Sequence, residues 1–157
     1  MTEKQRTVKS SIKFSGVGLH TGVPVNLEIH PAKENHGYVF QRIDIEGKPT
    51  IKADCDLVVA TDRGTTLEQN GARVYTTEHV LAALYGCQVD NALITIDGPE
   101  IPIMDGSSLE FVTGIEAAGY QDLNATREYL ELSENIAWED LDKGIEFLAV
   151  PDKEYRL

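Results

Sequence analysis

The chain has 157 residues, 41% apolar and 25% charged, with a formal net charge of −12 at pH 7. That length holds one cored domain, or one domain and a fragment of another, and that charge argues against non-specific nucleic-acid binding, because phosphates would be repelled. No run nears ~18 apolar residues and "MTEKQRTVKSS" has no apolar h-region, so neither a membrane span nor a signal peptide is expected, and cytoplasmic residence is.

Residues 5–14, "QRTVKSSIKF", alternate and carry β-branched residues, which predicts a strand. "SGVGLHTG" (Ser15 to Gly22) reads as a tight glycine-rich connection. In "VPVNLEIHP" Val25, Leu27 and Ile29 share one face, and "GYVFQRI" (Gly37 to Ile43) is a third strand, so the three together predict an antiparallel meander. His30 and His36 flank the Pro31 turn and are expected to be solvated. Cys55 and Cys87 form no CxxC pair and are expected as two reduced, mostly buried thiols.

Asn70-Gly71 between two alternating runs predicts a hairpin over residues 65–76. "TTEHVLAALYG" then predicts a helix with Thr76 or Thr77 as N-cap, Glu78 in the first turn and Gly86 as C-cap. Val80, Ala83, Leu84 and Cys87 share its apolar face. "DNALITID" (Asp90 to Asp97) reads as a buried strand and "GPEIPIMDGSS" as a proline-rich loop. "SSLEFVTGIEAAGY" (Ser107 to Tyr120) is an amphipathic helix capped by Ser107 or Ser108, with Leu109, Phe111, Val112 and Ile115 inward. From residue 127 the chain returns to strand patterning. Val25–Glu34 and Ile145–Glu154 align without gaps, Pro31 with Pro151, Lys33 with Lys153 and Glu34 with Glu154. One such match suggests a duplicated unit of which only the opening hairpin is repeated.

Several residues could carry chemistry. Adjacent helix residues point about 100° apart, so Glu78 and His79 can border one cleft only near a helix end, where they lie. A zinc-ligating histidine beside a carboxylate base suits hydrolysis. Without His-Glu-x-x-His, the pair reads first as a capping Glu and a surface or packed His. His20, set among glycines, is either a turn residue or a ligand-facing one. "TDRGTTL" (Thr61 to Leu67) offers Arg63 and Thr65 as polar groups that could meet a substrate, and Asp105 precedes a helix as an Asx-turn or N-cap residue. No dinucleotide fingerprint, P-loop or GxSxG occurs.

Together "QRTVKSSIKFSG", "GVGLHTG", "TTEHVLAALYG" and "DNALITIDGPEIPIMDGS" resemble the N-terminal half of the UDP-3-O-acyl-N-acetylglucosamine deacetylase (LpxC) family. The resemblance implies an α+β fold: a small, mostly antiparallel sheet with two helices packed on one face, the first of two similar domains, plus a short insert hairpin. It divides the chain into a domain over residues 1–126 and the opening hairpin of a truncated second domain over 127–157. It implies hydrolysis of the acetamide of a UDP-linked acylated amino sugar in lipid A biosynthesis, with one zinc ion. The family's Thr-x-Glu-His pattern falls on Thr76, Thr77, Glu78 and His79, making His79 a zinc ligand and Glu78 the general base. His20, Arg63, Thr65 and Asp105 take supporting or substrate-binding roles. The other zinc ligands and the acid or oxyanion group belong to a second domain, so the chain alone is expected to be inactive and to bind zinc poorly. In some lineages the enzyme is fused to a hydroxyacyl dehydratase. The alternative is a non-catalytic module binding a UDP-sugar or a protein. The tail hairpin, uncovered by helices of its own, is expected to pack on the first domain, to fray, or to mediate self-association.

Overall fold

The opening alternation is two strands, not one. The computed structural model describes residues 3–153 and Arg156; Glu154, Tyr155 and Leu157, the end of the internal match and of the chain, lie outside the described residues. β1 (Lys4–Val8) and β2 (Ile12–Val17) are separated at Lys9–Ser11 and join different sheets. β3 (Pro24–Pro31), β4 (Tyr38–Arg42) and β5 (Thr50–Lys52) follow. A single 3-10 turn (Cys55–Leu57) leads to β6 (Val58–Ala60), β7 (Thr66–Gln69) and β8 (Ala72–Val74). Then come α1 (Glu78–Gly86), β9 (Ala92–Ile96), α2 (Leu109–Ala118), β10 (Tyr120–Thr126), β11 (Ile136–Asp140) and β12 (Ile145–Ala149). The chain forms two compact units, Met1–Arg127 and Glu128–Leu157.

In the first unit the main sheet runs β2-β3-β9-β4-β5. β9 therefore lies between β3 and β4, antiparallel to one and parallel to the other. The expected three-strand meander is corrected on this point. β9 is apolar on alternate positions, and a strand buried against helices gains most at the sheet centre. Its Ile94 and Ile96 face Ile29 and Leu27 on one side, and Phe40 and Arg42 on the other. The pleat sends Phe14, Leu27, Ile29, Phe40, Ile51, Ile94 and Ile96 into one core with Val80, Ala83 and Leu84 of α1 and Phe111 and Ile115 of α2. β6-β7-β8 form a smaller sheet, which carries the predicted hairpin: Asn70 (φ 54) and Gly71 (φ 73) supply the two positive φ angles of its turn. β1 pairs with β10, a strand the hydrophobic pattern did not signal.

The helix ends differ from expectation. Thr77 is the N-cap of α1 but makes no side-chain cap bond; its hydroxyl donates instead to Thr65 O at 3.3 Å. Gly86 is the last helical residue and Cys87 the C-cap, with the reversal made by Gln88 at φ 56. α2 starts at Leu109, whose amide donates to Ser107 Oγ at 3.1 Å, while Leu109 itself is 63% exposed rather than in the core. Cys55 is exposed and Cys87 only half-buried, so neither is the buried thiol expected. His30 is held by Ser11 Oγ (3.0 Å) and Thr95 Oγ1 (2.9 Å) rather than solvated. His36 is half-buried.

Phe111 stacks obliquely on Phe14, ring centroids 4.8 Å apart. Phe111→Ala should cost about 3–5 kcal/mol, read as a lowered urea midpoint. Gly114 faces the same ring: a Cβ there would stand 2.6 Å from Phe14 Cζ and 3.1 Å from Ile12 Cγ2. Gly114→Ala gains about 1 kcal/mol of helix propensity and overpacks the core by about 1–3 kcal/mol. A net loss of stability is expected from thermal melting.

The second unit is a two-stranded antiparallel hairpin, Trp138 opposite Phe147 and Ile136 opposite Ala149. Residues 128–135, patterned like a strand, are outside it. β3 and β12, in which the two matched segments begin, are each the second strand of an antiparallel hairpin. Among the described residues no helix is long and apolar enough to cross a membrane.

Candidate active site

The start of α1 is held from above by the loop that follows β6. Glu78 and His79 are its first two residues, both half-buried. The Thr65 amide donates to Glu78 Oε2 at 2.9 Å, and Thr65 O accepts from Thr77 N at 3.3 Å. Thr65 thus orients the Glu78 carboxylate through its backbone, not its hydroxyl. Among the described residues no donor reaches Oε1. Gly64 lies beside it, and a Cβ there would come within 3.3 Å of both Glu78 Oε1 and Thr76 Oγ1. Glycine keeps that side of the carboxylate open.

Arg63 takes φ +59, and its carbonyl meets His20 Nε2 at 3.0 Å. A carbonyl only accepts, so Nε2 carries the hydrogen. The sequence singled out Arg63 for its guanidinium; in the structure it is the backbone that joins the site, and the residue is exposed. Asp105 forms the expected Asx-turn, accepting from Ser107 N at 2.9 Å and Ser107 Oγ at 2.8 Å. Those bonds, with a smaller contribution from the charge of nearby His79, hold its carboxyl below the usual range. Hydrogen bonds therefore join Thr65 to Glu78 and Arg63 to His20, with His79 next to Glu78 in the first turn of α1, whereas the hydrogen bonds of Asp105 go to Ser107.

The residue missed was Glu100. It is fully buried, and its carboxylate accepts from His20 N (3.1 Å to each oxygen), Thr21 N (2.8 Å), Thr21 Oγ1 (2.8 Å) and Thr76 Oγ1 (2.8 Å). Burial pushes its pKa up, but the donors of Thr21, Thr76 and His20 outweigh this and leave it below the ordinary carboxylate value. A depressed folded-state pKa adds stability that is present above the unfolded value and is lost as pH falls through the folded one. Acidification below the ordinary carboxylate range should therefore lower the melting temperature, and Glu100→Gln should flatten that part of the profile. The sequence did hold one signal: an acid with apolar neighbours on both sides in "PEIPIM" is a candidate for burial.

Thr76, between Tyr75 and the helix, sits at φ +58. A β-branched residue there is strained by about 1–3 kcal/mol and persists only where its surroundings demand it. A depression of about 280 Å3 opens alongside, lined by His20, Thr21, Asp62, Gly64, Tyr75 and Thr76 among others. The imidazole of His79 is a donor of the kind that zinc accepts. Among the described residues, however, the only group of three potential metal ligands is the exposed Asp54, Cys55 and Asp56 beside the 3-10 turn, none of them a predicted site residue.

A family model described as UDP-3-O-acyl N-acetylglycosamine deacetylase (LpxC) matches residues 5–157. The bifunctional enzyme LpxC/FabZ of Bacteroides thetaiotaomicron is 44% identical over 154 residues, covering 98% of this chain and 33% of that protein. The UDP-3-O-acyl-N-acetylglucosamine deacetylase of Geotalea uraniireducens is 44% identical over 153 residues, 98% of this chain and 49% of that protein. That of Shewanella violacea is 47% identical over 143 residues, 90% of this chain and 47% of that protein. The chain spans about a third to a half of the length of these relatives. With its family model matched over residues 5–157, it belongs to the UDP-3-O-acyl N-acetylglycosamine deacetylase (LpxC) family.

Proposed function

We propose that residues 1–126 are the first domain of a zinc-dependent deacetylase acting on the acetamide of a UDP-linked 3-O-acyl-N-acetylglucosamine, and that residues 127–157 open its second domain. The observation that carries this reading is the pair Glu78–His79 at the first turn of α1, with one Glu78 oxygen anchored by the Thr65 amide and the other left open beside Gly64. An anchored carboxylate with a free oxygen is what a general base needs, because it must be placed and still be able to accept. Cytoplasmic residence accompanies the reading.

His79 would hold the zinc through an imidazole nitrogen, and the remaining ligands would come from outside the 157 residues. When bound, zinc supplies a hydroxide near neutral pH and polarises the acetamide carbonyl. Glu78 takes a proton at Oε1, the oxygen without a donor, while Oε2 stays fixed on Thr65 N. The 61–65 loop keeps the carboxylate aimed and covers the helix start. His20, donating from Nε2 to Arg63 O, ties that loop to the glycine-rich turn.

Gly64→Ala is the sharpest local test. Its methyl would crowd Glu78 Oε1 and Thr76 Oγ1 at 3.3 Å. In a chain extended to the relatives' length, it should lower turnover of the UDP-sugar about tenfold or more, with the melting temperature within a few degrees of wild type. Wild-type turnover in Gly64→Ala would remove Oε1 from the mechanism.

A further inference from the structure

We propose that Glu100 is a positioning residue of this site: its buried carboxylate holds Thr76 and the His20–Thr21 turn, and through them sets where Glu78, His79 and His20 stand. The kinetic part of this inference rests on the deacetylase reading; the conformational part does not.

Glu100 holds residues from two separate places in the chain, Thr76 on one side and His20 and Thr21 on the other. All three line the depression. Glu100 itself is buried behind them, and its acceptor positions are filled by protein donors, so it has nothing to offer a substrate directly. No Lys, Arg or His side chain pairs with it among the described residues. A buried carboxylate that satisfies donors from two separate segments ties them together, and an apolar residue in its place would leave the His20 and Thr21 amides and the Thr76 hydroxyl without that acceptor.

The backbone around it is arranged to receive it. Tyr75 N donates to Pro99 O at 2.9 Å and Ile101 N to Tyr75 O at 3.1 Å, which brings Glu100 alongside Thr76. The Thr76 hydroxyl then answers the carboxylate while its backbone is held at φ +58, two residues before Glu78. On the far side Gly18 makes room: a Cβ there would fall 2.4 Å from both Glu100 Oε2 and Thr21 Oγ1. Gly22 N to Gly18 O at 3.0 Å closes the turn that presents the His20 and Thr21 amides.

The test compares Glu100→Gln, Thr76→Ala and Thr76→Ser. In this chain, amide chemical shifts and hydrogen exchange are followed at Glu78, His79, His20 and Arg63. In the chain extended to the relatives' length, kcat and KM for the UDP-3-O-acyl sugar are measured well below each variant's melting temperature. Glu100→Gln and Thr76→Ala should move the shifts and speed exchange at Glu78 and His79. They should lower kcat at least tenfold with KM within about threefold, and Thr76→Ser should restore both. Folded variants whose kcat is wild type, or whose shift changes stay within residues 98–102, would overturn the proposal. So would a failure of Thr76→Ser to rescue. An extended wild-type chain without deacetylase activity would refute the deacetylase reading, and the amide measurements would still decide the role of Glu100.

Discussion

Glu78→Gln, in a chain extended to the relatives' length, is expected to lower kcat about 10²–10⁴-fold while bound zinc and KM stay close to wild type. Glutamine keeps the size of the side chain and can still accept from the Thr65 amide, which in the wild type reaches Oε2 at 2.9 Å. What it cannot do is take a proton at the open position beside Gly64. The substitution therefore separates holding the loop from moving the proton. A variant that melts as wild type and retains more than about a tenth of its turnover would mean that Glu78 serves the helix start and not the reaction.

His79→Ala is expected to act one step earlier, on the metal. Loss of a partner that merely orients a ligand typically costs about 10–100-fold in metal affinity; loss of a ligand should exceed that. Zinc per extended chain should fall well below one after dialysis, with activity falling in parallel. Chelator-stripped wild-type protein should behave the same way and recover on adding zinc, whereas His79→Ala should not. Full zinc content in His79→Ala would move the metal elsewhere. The exposed Asp54, Cys55 and Asp56 are the group to examine then.

Local signals were legible in the sequence and long-range pairings were not. The alternation of Val25, Leu27 and Ile29 marks β3, and Asn70-Gly71 marks the β7–β8 turn, because period and turn chemistry are written in adjacent residues. That β9 enters between β3 and β4, and that β1 pairs with β10 rather than continuing into β2, depends on partners far along the chain, such as Tyr38 with Ala92 and Lys4 with Thr126. Leu109 fits the apolar stripe of α2 by count, yet it stands at the first turn, where the helix has not reached the core. The site divides the same way. Glu78 and His79 are adjacent, so their motif is visible. Arg63 and Thr65 contribute through backbone groups, which side-chain chemistry does not reveal. Glu100 gains its meaning only when donors from His20, Thr21 and Thr76 converge on it.

On the proposed deacetylase reading, Glu78 is the base and His79 one zinc ligand of a site completed by residues beyond these 157. The measurement that tests it most directly is zinc content and deacetylation of UDP-3-O-acyl-N-acetylglucosamine, side by side, for this chain and for one extended to the relatives' length. One zinc and turnover are expected in the longer protein, and neither in this chain, because one imidazole does not close a tetrahedral site. Zinc-dependent turnover by the 157-residue chain alone would contradict it.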